Sequence, residues 1–127
     1  MTEFTVHMAN RPGMLAQLTE VFAFHGVHIE ALSAYGMDEE AYVRIVVQDE
    51  AAARRALRKA GLSATERSIL TTIISHEPGA LAKLTRSLAE SGVNIDALYL
   101  LNSTVDGQEF AVVVNDTETA SRRLRAI

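Results

Sequence analysis

Asn10-Arg11-Pro12-Gly13-Met14-Leu15 reads as a strand exit, a turn and a helix start packed into six residues. His76-Glu77-Pro78-Gly79-Ala80-Leu81 repeats it 66 positions later. At that offset Leu15 matches Leu81, Ala16 matches Ala82, Leu18 matches Leu84 and Thr19 matches Thr85. The match continues through Ala23/Ala89, Gly26/Gly92, Val27/Val93, Ile29/Ile95, Ala31/Ala97 and Leu32/Leu98. So many ungapped identities mark a duplication, and self-similarity takes precedence over the single domain that 127 residues alone suggest. Further on the offset grows to 67, aligning Val46-Val47-Gln48-Asp49 with Val113-Val114-Asn115-Asp116. The one extra residue lies between Leu98 and Phe110, where a hairpin turn is expected to absorb it. The chain divides on this reading into residues 1–67 and 68–127.

Each copy carries the same order of elements. Phe4-Thr5-Val6-His7-Met8 alternates with period two, as a half-buried strand does, and Leu70-Thr71-Thr72-Ile73-Ile74 is its weaker counterpart. Pro12 fits the first helical turn, where its missing N–H costs nothing. Leu15, Leu18, Val21 and Phe22 follow at helical spacing, with Leu81, Leu84 and Leu88 behind them in the second copy. Gly26 and Gly92 end these helices. Val27–Tyr35 with Tyr42–Gln48, and Val93–Leu101 with Phe110–Asn115, read as hairpin strands turning at Asp38-Glu39-Glu40 and Asp106-Gly107. Asp49 and Asp116 can cap second helices. A closing strand fits within Leu62–Arg67, whereas only Ala126-Ile127 follow Arg125. The last strand of the second copy is missing or vestigial, which leaves a sheet edge in need of cover. An α+β fold follows, with up to eight antiparallel strands in one layer, helices on one face, and a homodimer covering the edge.

Composition excludes several functions. The chain has no Cys, so disulfides, thiol nucleophiles and Cys-based zinc sites are absent. A net charge of −4 gives no field for nucleic acid, although Arg54-Arg55-Arg58-Lys59 and Arg122-Arg123-Arg125 make the second helices basic. Clustered cations of that kind are also what a solvated helix face carries. His25 and His28 straddle Gly26, which spoils helical metal-ligand spacing, and no metal or other cofactor is expected. No serine elbow, glycine-rich phosphate loop or carboxylate pair stands out, so no enzyme is expected. Met1-Thr2-Glu3 lacks the start of a signal peptide and no apolar run approaches membrane-spanning length; a cytoplasmic protein with no membrane partner is expected.

Pro-Gly-x-Leu, an amphipathic helix and then Gly-Val-x-Ile entering a strand (Pro12 to Ile29, Pro78 to Ile95) resemble the ACT domain. That resemblance implies a ferredoxin-like βαββαβ module in each copy. It likens the chain to stand-alone tandem ACT proteins of bacteria and, more distantly, to small regulatory subunits of acetolactate synthase. ACT modules generally bind amino acids where the loop after the first strand faces a neighbouring module. The resemblance therefore implies a regulatory protein with an amino acid ligand and an allosteric output. The alternative is a regulatory subunit that activates an amino-acid biosynthetic enzyme by contact and binds no ligand.

The physical case for such a site is independent. A helix N-terminus offers unpaired N–H groups and a positive dipole end to a carboxylate. Gly13, Met14 and Leu15 are candidate donors, with Gly79, Ala80 and Leu81 in the second copy; Gly13 removes side-chain bulk and Pro12 fixes the entry angle. Asn10 can serve both charges of a zwitterion. Arg11 belongs to the same candidate set. His76 replaces Asn10, and Glu77 replaces Arg11, a carboxylate that repels an anion unless it turns away or accepts from an ammonium. Asn94, with His28 as its first-copy equivalent, matches a position where ACT modules often place a polar ligand contact. A composite of Asn10 from one copy and Asn94 from the other is one arrangement. The competing reading is that Asn10–Gly13 simply starts a helix and that His28 and Asn94 are solvent-facing residues at strand starts.

Overall fold

Alternation in the first strand places Phe4, Val6 and Met8 on one face, opposite Val43 and Ile45 of a neighbouring strand. In the computed structural model, which describes residues 1–126, these form the floor of the first of two compact units. Unit one covers Met1–Ser68, and unit two begins at Ile69. Unit one contains β1 (Thr2–Ala9), α1 (Met14–Phe24), β2 (Ile29–Met37), β3 (Glu40–Val47), α2 (Glu50–Lys59) and β4 (Ala64–Ser68). Unit two contains β5 (Leu70–Ile74), α3 (Ala80–Glu90), β6 (Ile95–Thr104), β7 (Gly107–Val114) and α4 (Thr117–Arg125).

The strands form two antiparallel sheets, one in each unit, ordered β2-β3-β1-β4 and β5-β7-β6. The closing strand of unit one exists: β4 pairs with β1 from Thr2↔Ser68 to Val6↔Ala64. Arg54 on α2 grips it through a two-pronged contact, with Nε 2.9 Å and Nη2 2.8 Å from Glu66 Oε1. Unit two has no such strand among the described residues, and Ile127 lies outside them. The expected absence of the last strand therefore holds as far as Ala126.

Helices cover the same relative face in both units. Leu18 and Phe22 of α1 and Ala53 and Leu57 of α2 bury against Phe4, Val6, Val43, Ile45 and Val47. Leu84, Leu88 and Ala120 do the same over Ile74, Val112 and Val114. Asp49 and Asp116 cap α2 and α4, accepting from Ala52 N and Thr119 N at 3.0 Å each. Gly26 and Gly92 follow the ends of α1 and α3, and the next residues send their N–H back to Phe22 and Leu88. Glu3 is the one buried charged side chain among the described residues, and Arg44 Nη1 stands 2.8 Å from its Oε1.

Two expectations need correction. The hairpin turn does not absorb the extra residue, because both hairpins close over two residues, Met37↔Glu40 and Thr104↔Gly107. The insertion is Leu101, which sits in a bulge between Leu100↔Phe110 and Asn102↔Glu109. A bulge takes up one residue without moving the rest of the ladder to the wrong face. The second turn consequently comprises Val105 and Asp106, and Gly107 opens β7. Among the described residues, no helix is long and apolar enough to cross a membrane.

Candidate functional site

Pro12 and Gly13 do not begin the helix. Met14 N donates to Arg11 O at 3.2 Å, and Gly13 stands at φ 89°, ψ −15°. Arg11-Pro12-Gly13-Met14 is thus a type II turn, with Pro presetting the first corner and Gly taking the left-handed second corner. Glu77-Pro78-Gly79-Ala80 repeats it, with Ala80 N on Glu77 O at 3.2 Å and Gly79 at φ 90°. A Cβ at Gly13 would meet nothing within 4 Å, so this position needs glycine for its φ and not for clearance. The turn also consumes two candidate donors: the N–H groups of Met14 and Ala80 are already bonded. The first intrahelical bonds start at Gln17 and Lys83, and no side chain caps either helix. Among the described residues the N–H groups of Gly13 and Leu15, and of Gly79 and Leu81, have no acceptor.

Beside the first turn lies a cavity of about 230 Å³ between the start of α1, the end of β2 and the start of β3. Met8, Met14, Leu15, Ala34 and Val43 give it apolar walls, and Asn10 and Arg11 stand at its polar side. Asn10 is anchored, its main-chain N on Glu39 O at 2.9 Å and its Nδ2 donating to Asp38 O at 3.0 Å. Its carboxamide lies flat on Gly36, where a Cβ would come within 2.4 Å of Nδ2. Arg11 Nη2 reaches Met14 Sδ at 3.7 Å. Next to this, a wider depression of about 680 Å³ is lined by His7, Asn10, Arg11 and the acidic turn Asp38-Glu39-Glu40. His7 pairs with Glu40 and stacks on Tyr42, which stacks on Tyr35, a ladder across three strands.

The second turn has a cavity too, about 390 Å³, lined by Ile74, Ser75, Glu77, Pro78, Gly79 and Lys83 among others. Glu77 and Lys83, one charge of each sign, both line it. His76, in place of Asn10, contacts Thr104 O through Nε2.

His28 and Asn94 sit far from these turns within their own units. His28 precedes the first residue of β2, whereas Asn10 rests on Gly36 near its last. Eight residues of strand at about 3.3 Å each separate them, roughly 25 Å. Asn94 is likewise at the start of β6, its Nδ2 2.8 Å from Asp96 Oδ1 and its N–H on Asn115 Oδ1 at 2.9 Å. Neither unit brings these residues to its own turn. Gly36, Tyr35 and Met8 belong to the candidate site and were not foreseen; only the strand period could have placed Met8 on the helix-facing side. Among the described residues no group of three or more His, Asp or Glu could hold a metal ion.

Comparison with known proteins agrees with this architecture. Residues 4–61 match the family model of the AHAS small subunit-like ACT domain. No curated protein matches the chain. Among solved structures, protein BT0572 from Bacteroides thetaiotaomicron superposes with a TM-score of 0.89 at 22% identity, over 98% of this chain and 86% of that one. The ligand-free regulatory subunit of aspartate kinase from Thermus thermophilus gives 0.72 at 19% identity, over 98% and 88%. The corresponding Thermus flavus subunit gives 0.68 at 20%, over 98% and 88%. Two βαββα units with matching turns, the first closed by a fourth strand, and a family match over residues 4–61 lead to one assignment: residues 4–61 match an ACT domain, and the second unit repeats its order of strands and helices.

Proposed function

We propose that this is a regulatory protein and not a catalyst, and that its first module binds a free amino acid beside the β1–α1 turn. The observation that carries the reading is the 230 Å³ cavity, with apolar walls on one side and Asn10 and Arg11 on the other. A zwitterion needs a cation or free N–H groups for its carboxylate, and Arg11 and the unbonded Leu15 N–H stand at hand. Asn10 Oδ1 can accept from the ammonium, since its Nδ2 is spent on Asp38 O. The walls suit an uncharged aliphatic side chain, because a charge buried against Met8, Met14 and Val43 would lose its hydration. The second module is the weaker binder on this reading, with Glu77 at its turn. His28 and Asn94 would take part only where a neighbouring module presents them. The fold shared with aspartate kinase regulatory subunits supports a signalling role, in which occupancy shifts a conformational equilibrium by differential affinity.

A thermal-shift panel of the twenty common amino acids tests this. A true ligand at 100 times its dissociation constant stabilises the native state by about 2.7 kcal/mol, and Arg11→Ala should abolish the response. A flat panel would sink the sensor reading and leave contact-only regulation of a biosynthetic enzyme as the reading to pursue.

A further inference from the structure

We infer that the open edge of β5 receives a β-strand from a different polypeptide, and that this strand presents a carboxylate to Arg125 of α4. The duplication shows what the second unit lacks. In unit one β1 lies between β3 and β4, whereas in unit two its counterpart β5 has β7 on one side and, among the described residues, no strand on the other. Phe4, Val6 and Leu57 are 1%, 1% and 4% exposed under their cover. Their counterparts Leu70, Thr72 and Leu124 are only half-buried. Edge strands are commonly blunted by lysine, proline or a bulge. β5, Leu-Thr-Thr-Ile-Ile, has none of these, and its ladder to β7 runs without a shift from Leu70↔Val112 to Ile74↔Gln108.

Unit one also specifies the occupant. Its cover alternates Leu62, Ala64 and Glu66 on the helix side: the first two pack on the core, and Glu66, opposite Phe4, meets the Arg54 guanidinium. Ser121 replaces Arg54 in α4, which packs on β5. The guanidinium of Arg125 folds back one turn to that position, its Nη1 donating to Ser121 Oγ at 3.3 Å. A cation thus stands again at the equivalent place. Arg122 and Arg123 pair with Glu118 and Glu90, whereas Arg125 has no acid among the described residues. Size and charge point to an extended segment with an apolar residue, a small one two positions on and an acid two further. A second copy has no such strand to lend, since its β4 is bonded to β1 from Thr2↔Ser68 to Val6↔Ala64 and clasped by Arg54. The occupant is a segment of another protein, held by main-chain hydrogen bonds for affinity and by alternate side chains for specificity. Such docking needs no amino acid bound at the β1–α1 turn.

A synthetic peptide with the sequence of residues 61–68, Gly-Leu-Ser-Ala-Thr-Glu-Arg-Ser, is the probe, because it carries that pattern. Titrated into the full isotope-labelled chain, it should bind with a dissociation constant below about 1 mM. It should move the backbone amide resonances of Leu70–Ile74 and leave those of β1 in place. A Glu66→Lys peptide should bind at least about tenfold more weakly, the factor expected of one charge-assisted hydrogen bond. Arg125→Glu, at an exposed helix end, should weaken the unaltered peptide by a similar factor and strengthen the Glu66→Lys peptide. No binding up to about 1 mM, or shifts confined to other strands, overturns the proposal. Equal affinity for the two peptides overturns the role of the carboxylate. Leu70–Ile74 resonances that move with protein concentration alone would put a second copy on the edge, and overturn the foreign strand.

Discussion

Replacing Gly13 with Ala isolates the backbone of the site-forming turn. At φ 89° and ψ −15° an L-residue is strained, yet a Cβ would meet nothing within 4 Å. The whole cost is therefore conformational, about 1–3 kcal/mol, with about 2 expected. Gly79 at φ 90°, equally open, is the matched control. For a chain of 127 residues that loss corresponds to a fall in Tm of about 5–8 °C. Urea unfolding is the assay, read as a drop in midpoint at constant m. Gly13→Ala and Gly79→Ala should match within about 0.5 kcal/mol and add in the double variant, because the two turns share no partners. A cost at Gly13 below about 0.5 kcal/mol would refute the reasoning, since it would mean that the turn does not require the left-handed conformation.

Three further outcomes follow from specific contacts. Arg44→Met strips one partner, 2.8 Å away, from buried Glu3 and should destabilise by about 2 kcal/mol, while Arg44→Lys recovers part of it in the same unfolding assay. Gly36→Ala pushes the Asn10 carboxamide off the strand, because the new Cβ would lie 2.4 Å from Nδ2. Stability should fall by only about 1 kcal/mol, but affinity for the amino acid, measured by calorimetry, should fall at least tenfold. Hydrogen bonding to Arg54 holds the Glu66 carboxyl below its ordinary range, and the Thr119 N–H and hydroxyl do the same for Asp116. Both contributions are present above the unfolded carboxyl's pKa, about 4, and are lost as pH falls through the depressed folded values. The stability gap between wild type and Glu66→Gln should therefore be constant near neutrality and shrink in acid; a gap that widens in acid would contradict this assignment.

Local chemistry made most of the fold legible. Period-two alternation located β1, the Asp49 and Asp116 caps placed α2 and α4, and identities at a fixed offset revealed the duplication before any element was drawn. What escaped depended on relations between distant residues or on degenerate cues. Proline at φ near −65° suits both a helix start and the first corner of a type II turn, so Pro12 pointed equally to either. Leu101 lies in a run of leucines with no glycine to mark a bulge, so its insertion showed in the count but not in its place. The rest of Asn10 on Gly36 joins residues 26 apart in sequence, and no local pattern announces such a contact.

The type II turn has a consequence for how such a protein can change over generations. Pro12 and Gly13 define the start of α1 through backbone geometry, and no side-chain oxygen caps it. The neighbours at 10 and 11 are thereby released from any duty to the helix. In the duplicate those two positions hold His76 and Glu77, while α3 keeps its length, its turn bond and its buried leucines. A fold that entrusts its helix entrance to two residues leaves the adjoining pair open to selection, so one ancestral module could yield descendants with different chemical tastes on an unaltered frame.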